Sequence, residues 1–380
     1  MTADPNRPPP TFAVLVSFSH VGGVERMIVN LVGELHRRGW RFDLVVLRSD
    51  TAYMEELPAG IRIVRLGTRH SLSGIPRIAR YLKKHRPGAL LVAKDRAGRA
   101  ALTARRLAGV DARIVVRLGT NLTTALRHKH RLQAWLRTAR MRHSYRDVDR
   151  IVAVSRGVAD DTRLHTGLPR GRIEVIRNPV ITPAMLSKAD APCPHPWLDS
   201  PTVPTVVGMG RLTRQKGFDV LLDAFKRLLD DRAARLIIIG DGQDRASLQA
   251  QAERLGISEH LLMPGFQANP YPWLARADLF VLSSRWEGSP NALTEALALG
   301  VPCVATDCPS GPAEVLGESG AGPVVPVDDA AALSAAMSAM LADPTPSDRL
   351  RAAVAEYNVE RSADRYLEVL GLPPYPERPA

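Results

Sequence analysis

Three cysteines in 380 residues, Cys193, Cys303 and Cys308, are an odd count without metal-ligand spacing. That excludes a disulfide scaffold and predicts a reduced, cytoplasmic compartment. No apolar run approaches the ~20 residues a membrane-crossing helix needs. Thr11–Phe18 is short and no basic segment precedes it, so no signal peptide is expected. Aromatic residues are 5% of the chain and no nucleic-acid-binding signature occurs, which argues against a nucleic-acid partner. There is no G-x-G-x-x-G for a dinucleotide, no repeat of solenoid length and no D-x-D where a diphosphate could use it. No metal and no cofactor are therefore expected.

What is present suits a large α/β protein. A chain of this length exceeds one core and predicts two α/β domains, and the 45% apolar fraction is that of a folded protein. Charge is lopsided: Met1–Val180 holds 34 basic and 14 acidic residues, net +20, and the remainder is net −8. The basic half is expected to meet something anionic, either a membrane surface or a phosphorylated lipid or saccharide. The alternative is arginine spread over solvated faces.

The chain is organised around Leu279–Thr306, LFVLSSRWEGSPNALTEALALGVPCVAT. Leu279–Leu282 is a short buried strand, Ser283–Pro290 a loop, Asn291–Leu299 a helix stopped by Gly300, and Val301–Thr306 the next strand. The loop lies at a strand's carboxyl end, where open parallel sheets bind ligands. Glu287 in the loop and Glu295 about two turns into the helix can face one cleft and accept hydrogen bonds from sugar or ribose hydroxyls. Upstream, Thr205–Gly210 is a strand that leads into G-R-L-T-R-Q-K-G and a helix, Asp219–Leu229. Arg211 and Lys216 beside that helix start make a diphosphate site without a metal.

The first half is less specific. Phe12–Ser17 is a strand; His20, Gly22, Gly23 and Glu25 form a glycine turn into the helix Glu25–Arg38. Strands follow at Phe42–Leu47, Ile61–Leu66, Ala89–Ala93 and Arg113–Arg117, with helices at Ile75–His85 and Arg99–Leu107. Asp95 and then Arg117 and Asn121 come at strand ends. Thr123–Tyr145 is the most basic stretch, with Trp135 among cations. It suits either a lipid headgroup region or a helix packed on the core by its apolar stripe. Arg150–Ser155 and Ile173–Ile176 are the last strands of the half. Thr182–Val203, rich in proline and alanine, is expected to link the domains.

E-G-S-P-N-A-L-T-E with A-L-A-L-G-V-P-C-V-A-T, G-R-L-x-x-x-K-G and the G-G-x-E turn together resemble glycosyltransferase family 4, the retaining group 1 enzymes. The resemblance runs from Phe12 to Leu370. It implies a GT-B fold of two Rossmann-like domains facing each other across a cleft. The boundaries expected are a leader at 1–10, an acceptor-side domain at 11–183, a linker at 184–203 and a nucleotide-sugar domain at 204–355. A last helix, about Asp348–Leu370, would return to the first domain, with 356–380 as the returning segment and tail. Arg211, Lys216 and Glu287 would be catalytic. Gly23, Gly210, Gly265, Phe266, Gly288, Pro290, Asn291, Ala292 and Glu295 would join them in holding the donor. His20, Asp95, Arg117 and Asn121 would face the acceptor. At the strand end where many members carry a catalytic-site histidine, this chain has Arg117.

The implied reaction moves a hexose or N-acetylhexosamine, with retention, from a nucleotide sugar, a UDP-sugar, to a saccharide or lipid-linked acceptor. It would serve polysaccharide or lipopolysaccharide synthesis in the cytoplasm, peripheral on the membrane's inner face. The alternatives are a sugar-nucleotide-binding subunit that has lost transfer, and a same-fold epimerase.

Overall fold

Alternate residues of the first strand enter different cores. Phe12, Val14 and Val16 join one buried cluster, Ala13 and Leu15 another. A strand apolar on both faces needs cover on both, which is the situation of a parallel sheet between helical layers. The structure, a computed structural model, describes residues 11–18, 22–49, 54–68, 73–126, 131–199 and 203–376. The chain forms two units: Met1–Pro179 with Val359–Ala380, and Val180–Asn358.

The first unit runs β1 (Phe12–Phe18), α1 (Gly23–Arg37), β2 (Phe42–Ser49), β3 (Arg62–Arg65), α2 (Ile75–His85), β4 (Ala89–Ala93), α3 (Asp95–Ala108), β5 (Arg113–Leu118), α4 (Leu122–Leu126), α5 (Arg131–Tyr145), β6 (Arg150–Ala153), α6 (Arg156–Thr166) and β7 (Ile173–Val175). Its sheet has the order β3-β2-β1-β4-β5-β6-β7, every pair parallel. Phe12 stands opposite both Phe42 and Ala89. The strand order therefore reverses between β1 and β4.

The second unit runs α7 (Pro183–Ala189), α8 (Pro196–Asp199), β8 (Thr205–Met209), α9 (Phe218–Asp231), β9 (Arg235–Ile239), α10 (Arg245–Leu255), β10 (Leu261–Gly265), α11 (Tyr271–Ala275), β11 (Leu279–Leu282), α12 (Asn291–Ala298), β12 (Cys303–Thr306), β13 (Val324–Val325), α13 (Ala330–Ala342) and α14 (Ser347–Ala353). Its parallel sheet has the order β10-β9-β8-β11-β12-β13, reversing between β8 and β11. Val207 and Phe280 bury on one face, Val206 and Val281 on the other.

Three expectations are corrected. The segment expected to link the domains, 184–203, holds α7 and α8, and Met185, Ala189 and Leu198 are buried in the second unit's core. Proline and alanine mark helix starts here rather than a spacer: Thr182 caps α7 through its hydroxyl, with Pro183 at the first helical position. The helix expected over about Asp348–Leu370 is broken into α14 and α15 (Val359–Leu370), because the intervening backbone pairs elsewhere. Both Val180 and Ile181 donate their N–H to the Tyr357 carbonyl, and Asn358 is extended. α15 belongs to the first unit, where Ala363, Tyr366 and Leu367 join the cluster that buries α1. Finally, Asp95 opens α3 four residues before the start expected at Arg99.

Candidate active site

In the second unit, Gly210 follows β8, and the loop from Arg211 closes in a 3₁₀ turn, Arg214–Lys216, before α9. Gly217 connects the two at φ +63°. A Cβ there would lie 2.1 Å from the Ser283 carbonyl oxygen, so the loop after β8 and the loop after β11 touch backbone to backbone. Hydrogen bonds staple them along this seam. Ser283 Oγ donates to the Lys216 carbonyl at 2.9 Å, Arg285 N to the Gln215 carbonyl at 2.8 Å and Gln215 Nε2 to the Trp286 carbonyl at 2.9 Å. The Arg285 guanidinium grips both Asp219 oxygens, at 2.9 and 2.7 Å, as well as Asp328 at 2.6 Å and the Arg214 carbonyl at 2.9 Å.

The staple brings Lys216 Nζ to 2.5 Å from Glu287 Oε1, with both side chains largely buried. Ser284 Oγ donates to the same oxygen at 2.7 Å, which fixes the carboxylate. Cys308 is buried beside this pair; burial pushes its thiol far above the ordinary value, and the Glu287 charge adds to that. Gly311, at φ +108°, lets the loop close, since a Cβ there would sit 2.6 Å from Pro290 Cδ. Gly288 and Pro290 are buried, and Asn291 and Ala292, half-buried, begin α12. Glu295 is buried in the second turn of that helix. Arg211 is exposed. Gly265 ends β10 at φ +84° with open space where a Cβ would be, and Phe266 is 56% exposed.

The residues expected to hold a donor thus separate into those joined by contacts and those placed by topology. Gly210, Lys216, Glu287, Gly288 and Pro290 belong to one stapled pair of loops at the reversal between β8 and β11, a ligand crevice in open α/β sheets. Ser284, Arg285, Cys308 and Gly311 are also part of it and were not singled out from sequence. The E-G-S-P motif names the carboxylate, while its supports stand up to 71 residues away.

In the first unit, Gly23 begins α1 and His20 lies outside the described residues. Asp95 accepts from the Tyr145 hydroxyl at 2.8 Å and from Arg99 at 3.0 Å. Asn121 Oδ1 accepts from Thr124 N and Oγ1, the geometry of a helix cap on α4. Arg117 is 2% exposed and donates to Asn178 Oδ1 at 2.8 Å. Sequence reading missed Lys94, which leaves β4 at φ +77° and places Nζ 2.6 Å from Glu25 Oε1. In α5, Met141 and Tyr145 pack in the core while Trp135 is 65% and Leu136 38% exposed. No described helix is long and apolar enough to cross a membrane.

Among known proteins, "Glycosyl transferases group 1" matches residues 197–361 and "Glycosyltransferase Family 4" matches residues 21–182. An uncharacterized glycosyltransferase of Methanocaldococcus jannaschii is 42% identical over 111 residues, 29% of this chain and 27% of that protein. Lipopolysaccharide core biosynthesis glycosyltransferase LpsE of Rhizobium meliloti is 26% identical over 94% of this chain and 98% of its own length. The crystal structure of Anabaena Alr3699/HepE in complex with UDP-glucose superposes with a TM-score of 0.75 at 18% identity, covering 95% of this chain and 99% of that one.

Proposed function

The chain belongs to the group 1, family 4 glycosyltransferases and has the GT-B fold, and from that premise we propose that it transfers a hexose or N-acetylhexosamine from a UDP-sugar to a saccharide or lipid-linked acceptor, with retention. The observation that carries the donor half is the Lys216–Glu287 pair, held at 2.5 Å where the second sheet reverses its order. A fixed ammonium there, with Arg211 on the same loop, opposes the charge that grows on a leaving diphosphate. Such preorganised charge is typically the largest electrostatic term in group transfer. Glu287, oriented by Ser284, accepts hydroxyls of the transferred sugar, and Glu295 accepts those of the ribose. The acceptor hydroxyl attacks from the face the diphosphate leaves, whose oxygen takes the proton. On this reading the cations do the work of a metal. A related protein's UDP-glucose complex supports the choice of donor.

The test is incubation of the full chain with a panel of UDP-sugars and no acceptor. Slow hydrolysis of one donor, releasing the sugar with its anomeric configuration kept, is expected. Binding without turnover would instead give a subunit that has lost transfer, and a rearranged nucleotide sugar an epimerase. Failure to bind any UDP-sugar overturns the reading.

The acceptor side fits lipopolysaccharide synthesis, as the name of the relative LpsE suggests, and our reading puts it at the cytoplasmic face of a membrane. Trp135 and Leu136 stand exposed on the basic helix α5, a composition suited to headgroups. Each cation near an anionic surface is worth about 1 kcal/mol and is screened beyond roughly 10 Å at 0.1 M salt. Binding to anionic vesicles should therefore fall steeply with salt, and Trp135 fluorescence should shift to the blue. No binding at low salt would remove the membrane from the proposal.

A further inference from the structure

Three charged side chains gather where the first sheet reverses its order. Glu25 enters from the first turn of α1, directly after β1. Lys94 leaves the end of β4, and Arg117 lies near the end of β5, its carbonyl accepting the Lys94 N–H at 3.1 Å. Lys94 Nζ donates to Glu25 Oε1 at 2.6 Å and to the Ser17 carbonyl at 3.3 Å. Arg117 is buried. Among the described residues no carboxylate is ion-paired with it; its hydrogen bond goes to neutral Asn178, and its Nε is buried without a partner. Burial pulls its pKa below the ordinary arginine value; the buried Tyr366 hydroxyl works against that first and the Glu25 carboxylate, which Lys94 already holds, second. Two cations thus share one carboxylate. A buried charge without a counter-charge is costly, so the balance of this crevice favours one more negative group. The positive end of the 15-residue helix α1 points the same way.

Lys94 adds a second, independent observation. Its φ of +77° with ψ of 143° lies near a region that only glycine occupies comfortably, and a lysine held there stores strain. The Lys94 side chain is 36% exposed, whereas that of Glu25 is 5%. A strained, half-open lysine beside a buried excess of positive charge is a ligand contact in waiting.

We propose that the first unit binds an oxyanion, a phosphate or carboxylate carried by the acceptor, at the carboxyl ends of β1 and β4, with the Lys94 ammonium as its direct contact, Arg117 as the buried charge behind it and Glu25 as the group the anion displaces in part. The word "acceptor" rests on the function proposed above; the anion site is a property of the first unit and is tested without turnover.

Calorimetry on the full chain, with UDP saturating the donor site, measures inorganic phosphate, glucose 6-phosphate, glucuronate and glucose. Saturable phosphate binding is expected, with both sugar anions binding more tightly than glucose. Tighter binding of glucose 6-phosphate than of inorganic phosphate identifies a sugar-borne anion as the ligand. Lys94→Met should weaken phosphate by about tenfold or more, Lys94→Arg should keep most of it, and Arg170→Gln, an exposed cation elsewhere, should change nothing. Glu25→Gln should tighten phosphate by removing its competitor. Lys94→Gly separates binding from folding, because it should lose phosphate as Lys94→Met does while melting higher than Lys94→Met by the strain it relieves. A Lys94→Met protein that binds phosphate like wild type overturns the site. So does a wild type with no saturable binding at millimolar phosphate, or one whose phosphate binding is lost when UDP is present.

Discussion

Each unit of this molecule sets a lysine–glutamate ion pair at the reversal of its sheet, and the two are built from opposite halves. In the second unit the lysine comes from the loop after β8 and the glutamate from the loop after β11. In the first unit the glutamate follows β1 and the lysine follows β4. The left-handed residue differs as well: Gly217 turns the second unit's chain at no steric cost, while Lys94 does so against its own Cβ. Doubly wound topology dictates where a ligand crevice opens. Which strand contributes the cation then decides how the crevice is charged. The second unit's lysine is 16% exposed and tied into a rigid seam, whereas the first unit's is 36% exposed.

The largest expected effect falls on the second unit's pair. Lys216→Ala or Arg211→Ala should each lower kcat/KM for donor hydrolysis by roughly 10²–10³, the cost of losing one preorganised charge partner. The fold should survive, because these are loop side chains outside the buried clusters. Wild-type turnover in a folded double variant would remove the diphosphate role. The two glutamates should separate by ligand. Glu295→Gln should weaken free UDP, while Glu287→Gln should spare UDP and impair the intact donor, since its loss leaves the Lys216 ammonium undivided for phosphate. Equal losses for both ligands in both variants would end that division of labour.

Next in size are the two left-handed positions. Gly217→Ala places a methyl 2.1 Å from the Ser283 carbonyl and must part the two loops, at a cost of about 1–3 kcal/mol in stability and with weakened UDP binding. Lys94→Gly loses the pair with Glu25 but also the strain, so it should be about 1–3 kcal/mol more stable than Lys94→Ala, which loses the pair and keeps the strain. Thermal melts of the three proteins read the contrast. A Lys94→Gly protein that melts no higher than Lys94→Ala would show that the Lys94 backbone is not strained as argued.

The contrast also marks how far the sequence alone could go. Apolar runs and glycine stops located the parallel strands, because burial on both faces leaves an unmistakable composition. Glu287, Glu295, Arg211 and Lys216 could be singled out because their motifs are local, and of these the structure joins Lys216 and Glu287. Lys94 was not, because a positive φ on lysine has no signature and its partner Glu25 is 69 residues away. Asp95 and Asn121 were chosen for standing at strand ends, and their partners Tyr145, Arg99 and Thr124 give them work inside the unit. The break between α14 and α15 escaped for a similar reason, since helix propensity along the segment says nothing of the backbone pairing that Tyr357 makes with Val180 and Ile181.

The smallest effects belong to acid. In the second unit burial raises the Asp219 carboxyl, but hydrogen bonds and charge from Arg285 outweigh it and hold the pKa below 3.8, its ordinary value. In the first unit burial likewise raises Glu34, and Arg37 and Arg38 together hold it below 4.5. A depressed carboxylate contributes stability that is complete above its unfolded pKa and is lost as pH falls through the folded one. The first unit should therefore weaken as pH falls below about 4.5, through Glu34, and the second only below about 3.8, through Asp219. The Glu34 side chain is 5% exposed against 47% for Asp219, so solvent screens the second far more and its share is the lesser. Melting temperature recorded from pH 7 to 3 should show a shallower acid slope for Glu34→Gln than for wild type, and a smaller flattening, confined to the most acid points, for Asp219→Asn. A Glu34→Gln protein with the slope of wild type would mean that the pair between α1 and its arginines does not set the first unit's acid limit. A larger flattening from Asp219→Asn would make the seam at Arg285, rather than the anchoring of α1, the more acid-sensitive of the two.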